Sequence, residues 1–156
     1  MNNPDHNHFL SQIKTVNILV AEDDPDDQML TREAFDESQL QHKLFFVEDG
    51  EALMDFLCRR GKFEDPRVAP RPSFILLDLN MPKKDGREAL IEIRANEALR
   101  QIPVIVLTTS KSVEDVQQLY ELGVNSFITK PVTFNGLVNT IKIVGKYWLE
   151  VAELPR

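Results

Sequence analysis

Asp78 closes the apolar run Phe74, Ile75, Leu76, Leu77, and a carboxylate at the end of a buried strand carries a desolvation cost unless something binds it. A second apolar run, Val16 to Ala21, leads straight into residues 22–27, where five of six positions are acidic. If the two strands lie parallel and adjacent, their acidic ends meet at one edge of the sheet. Carboxylates gathered there repel one another and raise one another's pKa unless a hard divalent cation neutralises them, and Mg2+ suits an all-oxygen set. Two further apolar runs end in different chemistry: Val104 to Leu107 leads into Thr108, Thr109 and Ser110, and Ser126 to Thr129 into Lys130 and Pro131. A carboxylate can accept a phosphoryl group as a mixed anhydride when positive charge offsets both its own charge and that of the phosphate. Asp78 is therefore a candidate nucleophile and Asp23 a direct metal ligand, with Glu22 reaching the ion directly or through water. Lys130 supplies a point charge to phosphoryl oxygens and Thr108 a hydroxyl donor.

These groups need a frame that brings strand ends together. Asp24 with Pro25 in the opening turn predicts a first helix. Leu53, Phe56 and Leu57 at i, i+3 and i+4 predict a second over residues 51–60, after a strand at 43–47. Ala89, Leu90 and Ile93 predict a third over 87–96. Ser112 with Asp115 resembles a capping box for a fourth, ended by Gly123, and Thr133 opens a last helix reaching about residue 152. Strands alternating with helices predict an α/β fold, a doubly wound parallel sheet with its ligand site outside the carboxyl ends of the strands. The stretch from Gly61 to Ser73, with three prolines, is longer than the usual connection of about 2 to 6 residues and reads as an insertion or contact surface.

Glu22-Asp23, Asp78, Thr108 and Lys130-Pro131, with Asp78-Leu79-Asn80-Met81-Pro82 and Asp85-Gly86, resemble the receiver domain of two-component response regulators over roughly residues 16 to 150. The resemblance implies a flavodoxin-like sheet of five parallel strands in the order 2-1-3-4-5 with five helices. It implies that the backbone carbonyl of Asn80 joins Glu22, Asp23 and Asp78 around Mg2+, and that Pro131 follows a cis peptide bond. Phe127 falls where the family places an aromatic that swings inward when the threonine, here Thr108, moves; an aromatic on a half-buried strand is otherwise ordinary core. Met81, Thr109 and Ser110 would line the mouth of the site. Family members commonly have Asp where this chain has Glu22. The implied donor is a phosphohistidine on a sensor kinase. The Gly61 to Ser73 stretch, the Pro82 to Gly86 variant and the tail from Tyr147 to Glu150 further resemble small regulators paired with cyanobacterial phytochrome kinases.

The rest of the composition narrows the alternatives. A net charge of −7 without a basic tract argues against nucleic-acid binding. One cysteine, Cys58, cannot form an internal bridge and suits a reducing cytoplasm, and no segment reads as a signal peptide or membrane span. Residues 1–15 read as a flexible tail and 16–156 as the receiver domain with an extended C-terminal helix. That helix carries two apolar stripes, Leu137, Ile141, Val144 and Trp148, then Ile143, Tyr147, Val151 and Leu154. One stripe can cover the sheet, so the other predicts a homodimer. With no output domain after residue 156, signalling is expected through contacts with a downstream protein rather than by enzymatic activity. Two other readings compete: a receiver-like scaffold that takes no phosphate, and a phosphatase of the haloacid dehalogenase type. The phosphatase needs a second Asp two residues after the nucleophile, where this chain has Asn80, which cannot act as general acid and base.

Overall fold

The computed structural model describes residues 16–147 apart from 40, 80, 82 and 109–112. Five strands, β1 (Val16–Ala21), β2 (His42–Val47), β3 (Phe74–Leu77), β4 (Val104–Thr108) and β5 (Ser126–Thr129), alternate with five helices, α1 (Pro25–Ser38), α2 (Gly50–Cys58), α3 (Gly86–Ala95), α4 (Val113–Glu121) and α5 (Phe134–Gly145). The strands form one parallel sheet in the order β2-β1-β3-β4-β5, as the resemblance implies. Alternate side chains point to opposite faces of a strand, and here both faces are buried. Ile18, Val20, Phe74, Leu76, Ile105 and Leu107 pack with residues of α1 and α5, including Phe35, Leu137, Val138, Ile141 and Val144. Leu19, Ala21, Ile75, Leu77, Val104 and Val106 pack with residues of α2, α3 and α4 on the other face.

The helix starts follow from side chains that satisfy otherwise unpaired N–H groups. Asp24 caps α1 by accepting from Asp26 and Asp27, Asp49 caps α2, Asp85 caps α3 and Thr133 caps α5. Gly123, at φ +95°, follows α4 in a backbone conformation that other residues rarely adopt. The expected cap Ser112, and the chain beyond Tyr147 that would extend α5, lie outside the described residues. Among those described there is no cis peptide bond, so Lys130-Pro131 is trans. This corrects the cis expectation and matches the ordinary preference of an X-Pro bond.

Two side-chain constructions tie the framework together. Phe63, in a 3-10 turn at Gly61–Phe63, packs on Phe56, which packs on Phe45, with ring centroids 5.2 and 5.7 Å apart. The long connection before β3 is held further by Arg59 Nε donating to the Ala69 carbonyl and by the Ser73 N–H donating to the Asn17 carbonyl. Near the end of α3, Arg94 donates to four acceptors: the Gly123 carbonyl at 2.9 Å, the Arg100 carbonyl at 2.7 Å, the Ile102 carbonyl at 3.0 Å and Asn125 Oδ1 at 3.0 Å. Asn125 Oδ1 also accepts the Val104 N–H, so one guanidinium links α3 to the entrances of β4 and β5.

Candidate functional site

Strand register builds the site. Ala21 lies beside Leu77, so the next residues, Glu22 and Asp78, emerge together from the sheet, with the Asp78 N–H donating to the Ala21 carbonyl at 3.0 Å. Thr108 lies beside Thr129, which places Lys130 one step beyond it. Gly86 holds α3 directly behind this edge: a Cβ there would stand 2.7 Å from the Asp78 carbonyl oxygen, so no other residue fits without displacing the backbone. Gly50 does the same between α2 and the connection after β3. Its N–H donates to the Lys84 carbonyl at 2.8 Å, and a Cβ would lie 2.2 Å from that oxygen.

Glu22, Asp23 and Asp78 each offer a carboxylate oxygen within 4.8 Å of the others. That is the all-oxygen donor set a hard divalent cation takes. Lys130 Nζ donates to Glu22 Oε1 at 2.5 Å and to Asp27 Oδ2 at 2.9 Å, and lies 3.8 Å from Asp78 Oδ2. The electrostatics follow from burial. Removal from water raises the Glu22 carboxyl to about 7, against the lowering effect of the Lys130 hydrogen bond, and the neighbouring Asp78 charge adds to the rise. Burial also works against the charge on Lys130, but its bonds to Glu22 and Asp27 prevail and hold it above its ordinary value. A permanent cation thus faces carboxylates of which one sits poised between charged and neutral near pH 7.

Of the residues singled out from sequence, Glu22, Asp23, Asp78 and Lys130 come together. Thr108 ends β4 at the same edge, with its side chain outside the described part; Asn80, Thr109, Ser110, Val151 and Leu154 are likewise outside it. Phe127 is half-buried against the α2–α4 face, and its N–H donates to Tyr120 Oη. Met81 is a correction: only 7% exposed, it belongs to the core cluster with Leu53, Met54 and Leu90 instead of lining an open mouth. A flexible thioether serves well to fill a gap beneath a loop. Asp27 was missed as a partner of Lys130, although its spacing carried a signal. Asp27, Thr31 and Phe35 recur at i, i+4 and i+8, and Thr31 and Phe35 are buried, so Asp27 lies on the sheet-facing side of α1.

A roomier cavity lies elsewhere. A cleft of about 580 Å3 lies between β2, α2 and the 3-10 turn, lined by Phe46, Glu48, Asp49, Glu51, Asp55, Arg60, Lys62, Phe63 and Lys83 among others. Its charges pair locally: Arg60 with Asp55 at 3.1 Å and Lys83 with Asp49 at 3.7 Å. Beneath Asp78 and Lys130, by contrast, a cavity lined also by Glu22 and Thr31 holds only about 10 Å3.

A parallel five-stranded sheet ending in clustered carboxylates opposed by a lysine defines a receiver, and residues 18–142 match the model of the response regulator receiver domain. The chain belongs to that family. It is 45% identical to the response regulator Rcp1 of Synechocystis sp. over 138 residues, covering 88% of this chain and 92% of that protein. Among solved structures, the phosphorylated cyanobacterial phytochrome response regulator RcpA superposes with a TM-score of 0.85 at 40% identity, over 92% of this chain and 100% of that one. The Mn2+-bound form of Rcp1 superposes with a TM-score of 0.82 at 44% identity, over 90% of this chain and 99% of that one. The relationship supports signalling by phosphorylation and gives no support to the scaffold or phosphatase readings. No helix among the described residues is long and apolar enough to cross a membrane.

Proposed function

We propose that this chain is a phospho-accepting switch in which Asp78 takes a phosphoryl group from a phosphohistidine of a phytochrome-class histidine kinase. The observation that carries the reading is the convergence of Glu22, Asp23 and Asp78 within 4.8 Å, with Lys130 Nζ 3.8 Å from Asp78. An Asp78 oxygen forms the new P–O bond as the P–N bond breaks, and the electron pair leaves on the imidazole nitrogen, which takes up a proton. Glu22, Asp23, Asp78 and the Asn80 carbonyl would hold Mg2+, which would neutralise the charge that builds up around the transferring group. Lys130 offsets the phosphoryl charge from the other side, while Thr108 and Phe127 read the phosphorylated state and pass it to a downstream protein. Residues 16–156 form the receiver unit, 1–15 its tail, and the single Cys58 suits a cytoplasmic setting.

Transfer of radiolabel from such a kinase tests the assignment. Asp78→Asn, or chelation of divalent ions, should lower acid-labile, hydroxylamine-sensitive phosphate by about 100-fold or more, roughly 2.7 kcal/mol in the barrier. Wild-type labelling of Asp78→Asn would place the acceptor elsewhere.

A homodimer belongs to the same proposal. In α5 the side chains of Leu137, Val138, Ile141 and Val144 are buried, whereas Ile143 is 70% exposed and Tyr147, one turn on, 53% exposed. Val151 and Leu154 lie beyond the described residues. Apolar side chains repeated one turn apart on an outward face suit a two-fold contact. Sedimentation equilibrium should show dimers at micromolar concentrations and monomers for Tyr147→Asp. A wild type that stays monomeric at hundreds of micromolar rules the dimer out.

A further inference from the structure

Lys130 is surrounded by three carboxylates whose fates differ once the site is used. Its ammonium has three N–H donors, with Glu22 Oε1 at 2.5 Å, Asp27 Oδ2 at 2.9 Å and Asp78 Oδ2 at 3.8 Å. Glu22 and Asp78 both belong to the trio whose oxygens lie within 4.8 Å of one another. A divalent cation held by that trio would engage Glu22, directly or through water, and phosphorylation would commit an Asp78 oxygen to the new P–O bond. Asp27 is outside that trio. It sits in the first turn of α1, with its N–H donating to the cap Asp24 Oδ1 and its side chain on the buried side of the helix. Its bond to Lys130 crosses from α1, which follows β1, to the end of β5, three strands away in the sheet.

We propose that Asp27 is a positioning residue: it anchors the Lys130 ammonium at the phosphoryl position when Glu22 and Asp78 are engaged elsewhere. The inference rests on the phosphoacceptor reading of Asp78. A lysine head sits on a flexible four-carbon stem and acts as a point charge, so its value to a phosphoryl group depends on where the head is held. The Lys130 side chain is 14% exposed, and of its three carboxylate neighbours only Asp27 takes no part in metal or phosphoryl chemistry. Two effects of Asp27 oppose each other. As a negative charge it repels an incoming phosphoryl group, and as an anchor it directs the cation toward one. Removing a nearby acid for its charge alone would strengthen anion binding, whereas removing the anchor weakens it.

The sign decides the matter. Beryllofluoride, with Mg2+ present in excess, stands in for the phosphoryl group, and its half-saturating concentration is read by fluorine NMR. Asp27→Asn keeps the shape of the side chain and should raise that concentration fivefold or more. Asp26→Asn removes the same charge from the same helical turn, from an exposed side chain that does not contact Lys130, and should not raise it. In a Lys130→Met background Asp27→Asn should change it by less than twofold, because the anchor then has nothing to hold. A loss under fivefold, an equal loss in Asp26→Asn, or a loss of twofold or more surviving in Lys130→Met overturns the role of Asp27. Asp78→Asn separates this from the underlying reading. Beryllofluoride binding that survives Asp78→Asn removes the acceptor assignment itself, whereas binding that needs Asp78 and ignores Asp27 removes only the anchor.

Discussion

Two regions at the carboxyl end of the sheet carry mixed charge, and they differ in almost every other respect. The cleft beside β2 has room, about 580 Å3, and its acids and bases pair with near neighbours along α2 and across to Lys83. The cluster at the ends of β1, β3 and β5 has a cavity of only about 10 Å3 beneath it, yet four carboxylates and one lysine from distant parts of the chain converge there. Space is thus a poor guide to chemistry in this molecule. The distinguishing features are burial and the forced company of like charges, because these place free energy in protonation and in ion binding.

The largest contrast should appear on removing the cation from each region. Lys130→Met leaves buried carboxylates without their counter-charge and should cost about 3 kcal/mol in chemical denaturation at pH 8. Lys83→Met removes an ion pair that is 65% exposed on the lysine side and should cost about 0.5 kcal/mol or less. Losses that agree to within about 1 kcal/mol would erase the distinction.

A smaller contrast concerns pH. The folded value of Glu22, about 7, lies above its ordinary 4.5, so the native state holds this proton more tightly than the unfolded chain. The stability it contributes is fully present below pH 4.5 and is lost as pH rises through about 7. In metal-free buffer the wild type should therefore lose about 1–2 kcal/mol more than Glu22→Gln between pH 5 and pH 8, a figure already discounted for partial solvent screening. Parallel slopes for wild type and Glu22→Gln would mean that burial does not perturb this carboxyl.

The same contrast explains what could be read from the chain. The strands β1, β3 and β4 were legible because they are nearly continuous apolar runs, the mark of strands covered on both faces, whereas their order came with the receiver resemblance. The ends of β1 and β3 exposed Glu22, Asp23 and Asp78 as candidates, the end of β5 exposed Lys130, and Asp24 and Thr133 announced their helices. Pairings between separated elements were not legible. The Asp27–Lys130 bond joins residues 27 and 130 and leaves no periodic trace beyond the placement of Asp27 on the buried side of α1. The contacts of Phe45, Phe56 and Phe63, which fasten the long connection and set Phe63 in the cleft wall, left no such signal. Met81 was misplaced because its position in a motif says nothing about the depth of the pocket under it.

The Arg94 bridge bears on time as well as structure. Its acceptors come from the turn after α4, the approach to β4 and the entrance to β5, so it can close only after those segments have docked. A contact made that late adds little to the transition state for folding and much to the barrier against unfolding. Arg94→Met should therefore leave the refolding arm of a denaturant chevron within about twofold of wild type and speed the unfolding arm by about tenfold, the share expected for roughly 1.4 kcal/mol of lost stability; a slowed refolding arm would put the bridge in the nucleus instead. The switch end of the sheet is set by charge, and the persistence of the folded receiver by a guanidinium that reaches none of that charge.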